Sequence, residues 1–100
     1  MIVERRTFPV KTTKEQEVVA LVKATIEAIT IFTGAYRIYV HDIGPQEVVV
    51  VEWEHDNLED LQAAWEAWMA NLATPEFWEQ WCAITERGGH KEIWELAAER

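Results

Sequence analysis

From Glu47 to His55 the chain reads EVVVVEWEH, a run in which both alternating sets of positions carry apolar side chains. Successive residues of a strand point to opposite faces, so Val49, Val51 and Trp53 share one face and Val48 and Val50 the other. A strand of this kind belongs inside a sheet with a layer packed on each side. The rest of the chain is organised around it.

Upstream, Ile2 to Val10 alternates loosely, with Val3, Thr7 and Phe8 suited to a strand and Pro9 marking its end. Thr12 with Glu15, or Thr13 with Gln16, has the spacing of a capping box and predicts a helix start. Val18, Leu21, Val22, Thr25, Ile29 and Phe32 then recur at three- and four-residue steps as one apolar stripe, and Gly34 is the expected stop. From Ala35 to Ile43 the period returns to two, with Tyr36, Ile38 and Val40 opposed to Arg37, Tyr39 and His41. Gly44-Pro45 predicts the turn into the central strand.

Beyond that strand, Asp56 or Asn57 caps a second helix whose stripe is Leu58, Leu61, Trp65, Trp68, Met69 and Leu72. Thr74-Pro75-Glu76 breaks and restarts this helix, because proline is tolerated only in a first turn. Phe77, Trp78, Trp81, Cys82 and Ile84 or Thr85 continue an apolar side to Gly88-Gly89. A last strand spans His90 to Leu96, with Ile93 and Trp94 on opposite faces, and residues 97–100 form a tail.

The predicted fold is thus α+β: a ferredoxin-like βαββαβ unit with a four-stranded antiparallel sheet, in a single domain over residues 1–100. Right-handed crossovers place both helices on one face, with the first and third strands central. The other face of the sheet is left bare, and a second copy packed about a two-fold axis is the simplest cover. The expected assembly is a homodimer in which two sheets form an α+β barrel.

Composition narrows the function classes. A hydrophobic share of 49% with few glycines and prolines is a globular profile, and 18 acidic against 9 basic residues give a net charge of -9. That field repels phosphate backbones and anionic lipid, so neither nucleic acid nor membrane is an expected partner. One cysteine permits no internal disulfide, and the first residues carry no long apolar segment, which together point to the cytoplasm.

The opening Glu4-Arg5-Arg6-Thr7-Phe8, the stretch from Val48 through Trp53 to Leu58, and Thr74-Pro75-Glu76-Phe77-Trp78 resemble elements of the dimeric α+β barrel superfamily. Within it the likeness is to NIPSNAP-like and antibiotic-biosynthesis-monooxygenase-like proteins. These motifs are structural, and the superfamily hosts oxygenases, haem-degrading enzymes and members with no known reaction, so the resemblance implies the barrel and not an activity.

Six tryptophans dominate the candidate chemistry. Trp65 with Trp68 and Trp78 with Trp81 are pairs three residues apart on the broken helix, while Trp53 and Trp94 lie on strands. They are either large core and interface filler or the lining of an aromatic cleft between helices and sheet, with Trp53, Trp68 and Trp81 the expected ligand contacts. Arg37, Tyr39 and His41 form the most polar row, either as interface ion pairs or as the polar end of a ligand cavity with Arg37 a binding residue. Arg6, Glu4, Glu52 and Glu54 are candidate partners for that row.

Tyr39, His41 and His90 are the candidate catalytic residues, since a histidine at a strand end can act as a general base. Surface histidines at turns are the plain alternative. No metal-ligand spacing, phosphate loop or dinucleotide fingerprint occurs, so no metal and no cofactor are expected. Cys82, beside Glu79 and Glu86 in an apolar stripe, reads as a buried and inert thiol. Three functions remain open: binding of a small apolar or aromatic molecule, cofactor-independent oxygenation of an aromatic substrate, and a structural dimer without a ligand.

Overall fold

In a computed structural model, which describes residues 1–44 and 46–100, the sheet is built on two central strands, β1 (Ile2–Pro9) and β3 (Val48–His55). They pair antiparallel from Ile2 opposite His55 to Pro9 opposite Val48. β2 (Tyr36–Val40) lies outside β3, and β4 (His90–Glu95) outside β1, so the order is β2-β3-β1-β4 with every pairing antiparallel. α1 (Glu15–Glu27) connects β1 to β2, while α2 (Leu58–Asn71) and α3 (Pro75–Ile84) connect β3 to β4. This is the ferredoxin-like order that the hydrophobic pattern predicts, with the second helix in two pieces.

Burial alternates along β3 as the two-sided pattern requires. Val49, Val51, Trp53 and His55 are buried on the helix side, whereas Val48, Val50, Glu52 and Glu54 are half-buried on the other. Val18 and Val22 of the predicted stripe, Ile26 of α1 and Ile29 just beyond it join Val49, Val51 and Trp53 in the core. Each such side chain contributes roughly 1.5–3 kcal/mol as an upper estimate.

The second helical region starts at Asn57, whose side chain accepts the Asp60 amide at 2.8 Å, and this decides between the two possible caps. At the break the Thr74 hydroxyl accepts the Phe77 amide at 3.1 Å and Pro75 takes the first helical position.

Several local expectations are corrected. Neither threonine caps α1: Lys14 precedes the helix with no side-chain cap, Thr13 has a φ of 70°, and the Thr12 hydroxyl instead donates to Glu47 at 2.8 Å. α1 stops at Glu27, short of Phe32, where the β-branched run Ile29-Thr30-Ile31 followed by Phe32-Thr33 disfavours further helix. Gly34 therefore serves a close approach and not a helix stop. A Cβ there would collide with the Glu54 carbonyl oxygen, next to the bond from the Glu54 amide to the Ala35 carbonyl at 2.9 Å. β2 ends at Val40, which leaves His41 outside the strand. Pro45, half of the expected turn, lies outside the described residues. Cys82 is exposed, because it falls on the outer side of the short α3.

On the face away from the helices the register aligns residues into rows. Arg37, Glu52, Arg5 and Glu92 form one row of alternating charge, and Tyr39, Val50, Thr7 and His90 form the next. Arg37 reaches diagonally to Glu54 at 2.9 Å, while Arg5 lies 3.7 Å from Glu52. This face is therefore striped, not the continuous apolar patch anticipated from the valine run.

Candidate functional site

The break between α2 and α3 turns two sets of aromatic side chains toward each other and toward the sheet. Trp65 stacks on Trp68 with ring centres 5.0 Å apart and an interplanar angle of 22°. Trp68 in turn meets Phe77 at 5.3 Å and Trp78 at 5.8 Å, both edge to face. Phe77 lies parallel to Trp81 at 5.9 Å, and Trp81 meets the edge of Phe8 on β1 at 4.9 Å. Such offset and T-shaped contacts are the favoured aromatic geometries.

These rings enclose a cavity of about 170 Å³ between helices and sheet. Its floor is Glu4, Arg6 and Phe8 of β1 with Val51 and Trp53 of β3. Val22, Thr25 and Ile26 of α1, with Ile29 just beyond it, close one side, and the aromatic residues of α2 and α3 close the other, with Trp78 half-exposed at the surface.

The charged lining residues form one connected group, while the Thr25 hydroxyl donates to the Leu21 carbonyl at 2.7 Å. Glu4 is only 3% exposed, a position a carboxylate holds only with strong partners. Its Oε1 accepts from Arg6 Nε at 2.6 Å and from the Trp53 indole at 3.0 Å. The Arg6 guanidinium also lies 4.4 Å from the centre of the Trp65 ring, a cation–π contact that holds its plane against α2. Glu4 and Arg6 share this face because they are two apart on β1, and Glu4 stands opposite Trp53 in the register.

His55 lies at the end of the same sheet face, 5% exposed, packed against Trp53 at 4.6 Å and Phe32 at 5.1 Å. Among the described residues its buried Nε2 has no hydrogen-bond partner. Burial holds its pKa below the usual histidine value, an effect that Glu4, Asp60 and Asp56 partly oppose.

Of the residues singled out from the sequence, Trp53, Trp68 and Trp81 line the cavity. Arg37, Tyr39, His41 and His90 do not. Tyr39, 45% exposed, and His90 lie on the opposite face of the sheet, in one row but at opposite edges, separated by Val50 and Thr7 and so about 14 Å apart. The Tyr39 hydroxyl donates to Glu52 at 3.2 Å, and desolvation followed by that carboxylate raises the phenol pKa. The Glu54 carboxylate likewise raises the pKa of Arg37. His90 lies 3.7 Å from Glu92 on the exposed start of β4. Glu52 and Glu54 partner the polar row as expected, whereas Glu4 and Arg6 face the other way.

Glu4, Arg6, Phe8, Trp65, Phe77 and Trp78 are the lining residues that the sequence reading did not select as ligand contacts. The period-two placement of Glu4 and Arg6 with Phe8 was the available signal for the first three. Among the described residues no group of three or more His, Cys, Asp or Glu is arranged to hold a metal, and no helix is long and apolar enough to cross a membrane.

No protein-family model and no curated protein matches the sequence. Solved structures do match the fold. A NIPSNAP family protein of unknown function from Agrobacterium tumefaciens superposes with a TM-score of 0.78 at 19% identity, over 97% of this chain and 88% of the other. An uncharacterised NIPSNAP domain protein from Burkholderia xenovorans gives 0.77 at 21% identity, over 98% and 96%. A candidate antibiotic biosynthesis monooxygenase from Nitrosomonas europaea gives 0.71 at 14% identity, over 98% and 100%. The architecture of this chain is therefore the one shared by NIPSNAP-like and antibiotic-biosynthesis-monooxygenase-like proteins.

Proposed function

We propose that this protein binds a small apolar or aromatic molecule in the cleft between its helices and its sheet, and that it does so as a homodimer. The observation that carries the binding reading is the cavity itself, lined by Trp53, Trp65, Trp68, Trp78 and Trp81, with Glu4 and Arg6 as the charged groups of its lining. Sites for small organic ligands have this composition: mostly apolar walls with few placed polar groups. An apolar cavity of about 150 Å³ admits a benzene-sized molecule, so the volume here suits one ring or two where the cleft opens beside Trp78. Catalysis by Tyr39, His41 or His90 draws no support from the cleft, because none of them lines it.

Titration with naphthalene, followed through the indole N–H signals in a proton–nitrogen NMR spectrum, tests the binding reading. Saturable shifts of the Trp53, Trp68 and Trp81 signals are expected, with Trp94 unmoved. Shifts that appear equally at Trp94 on the other face would reject it, as would shifts that grow linearly for naphthalene and for its polar and charged analogues alike.

The homodimer reading rests on the uncovered sheet face. Trp94 there is 58% exposed, and Val48 and Val50 are only half-buried. A second copy brings an identical striped surface, which a two-fold axis can make self-complementary.

A further inference from the structure

The polar corner of the cleft is unevenly satisfied. Glu4 Oε1 accepts from Arg6 Nε and from the Trp53 indole. Among the described residues Oε2 has no donor, and it is not among the sealed, partnerless side-chain atoms, which are His41 Nδ1 and His55 Nε2. Arg6 engages through Nε alone, and among the described residues its terminal nitrogens have no protein acceptor. The pair thus keeps an acceptor and donors free of protein partners on neighbouring side chains, Glu4 tied to the Trp53 indole and the Arg6 guanidinium set over the Trp65 ring.

We infer that the cleft selects an uncharged planar ring system carrying an N–H donor next to a carbonyl acceptor, as in an aromatic lactam. The N–H donates to Glu4 Oε2 and the carbonyl accepts from an Arg6 terminal nitrogen. The ring lies among Trp68, Phe77 and Trp81.

Charge accounting excludes the alternatives. The Glu4–Arg6 pair is neutral as a unit and Glu4 is nearly enclosed, so a charged ligand adds an unpaired third charge to a poorly hydrated site. An anion also meets the protein's net charge of -9, while a cation beside Arg6 meets a like charge. A wholly apolar ring leaves both unused groups stripped of water.

This inference rests on the binding reading above, and one set of probes separates their failures. Four ligands built on a two-ring frame are compared by the same NMR titration: naphthalene, quinolin-2-one, 2-naphthoate and 2-naphthylmethylammonium. Quinolin-2-one is expected to bind about tenfold or more tighter than the other three, since each hydrogen bond to a charged group adds discrimination. Saturable binding of naphthalene or of either ion with equal or higher affinity overturns the inference and leaves the binding reading standing. No saturable binding of any of the four overturns both.

The double substitution Glu4→Gln with Arg6→Met removes the two charges together and keeps an acceptor for the Trp53 indole. The preference for the lactam over naphthalene should fall to within about threefold in this variant. A preference that survives in this variant places the polar recognition elsewhere and also overturns the inference.

Discussion

The Arg6 guanidinium sits 4.4 Å from the centre of the Trp65 ring, joining a central strand to α2. The same side chain is the partner of buried Glu4 at 2.6 Å. Arg6 therefore couples the polar floor of the cavity to its aromatic wall, and its substitutions should report on both.

Removing one partner of this pair should cost more than removing both. Arg6→Met leaves the Glu4 carboxylate with only the Trp53 indole in an almost closed site and is expected to lower unfolding stability by about 3–5 kcal/mol. Adding Glu4→Gln should recover more than half of that loss. Urea denaturation of the two single variants and the double variant, read as a thermodynamic cycle, measures the coupling. Additive losses would show that Glu4 is not held by Arg6.

Gly34→Ala should be destabilising although the residue lies outside regular structure. The new methyl group would meet the Glu54 carbonyl oxygen, so β3 must shift or the Ala35–Glu54 bond must open. A loss of about 1–3 kcal/mol is expected from such overpacking. A gain in stability, as alanine often gives at unstrained glycines, would contradict this close approach.

His55 should make stability fall in mildly acidic solution. Burial places its folded pKa below the unfolded value of 6.5, so the unfolded chain binds the proton more readily. Its contribution is then complete above that value, declines as pH drops below it, and levels off beneath the lowered folded pKa. The limiting slope is about 1.4 kcal/mol per pH unit. Unfolding measured from pH 7.5 to 5.5 should show this decline, and His55→Phe, set between Phe32 and Trp53, should flatten it.

The parts of this architecture that were legible in the sequence are those with a local cause. Val48 to Trp53 announces a two-sided strand because both alternating sets are apolar, and Thr74-Pro75 announces a break because proline cannot continue a helix. The C-terminal limit of α1 was not legible, since Ile29 and Phe32 keep the helical spacing while the β-branched residues around them stop the helix. Glu4 and Arg6 read as partners for the polar row of β2, and only pairing with β3 and the arrival of α2 turn them into a buried pair on the other face. A stripe of tryptophans reads the same whether the rings fill a core or line a void. The cavity exists because packing does not close between three helices and the sheet, and no segment carries that fact alone.

The charged row on the uncovered face predicts how two copies meet. Across the sheet the order is Arg37, Glu52, Arg5, Glu92, positive and negative in turn. A two-fold axis along the strands reverses the row, setting Arg37 over the partner's Glu92 and Glu52 over the partner's Arg5. An axis along the row would instead oppose like charges, which costs several kcal/mol in a desolvated contact (~1–4 kcal/mol per pair at the effective dielectric of a protein surface). Arg37→Glu and Glu92→Arg should therefore each weaken the dimer, and the two together should restore it. Analytical ultracentrifugation of the wild-type chain, both single variants and the double variant reads this directly. Val50→Asp, which adds an unpaired charge to the adjoining row, should give monomers that no charge swap rescues. A wild-type chain that sediments as a monomer at tens of micromolar, or a double variant weaker than both singles, would reject the self-complementary row.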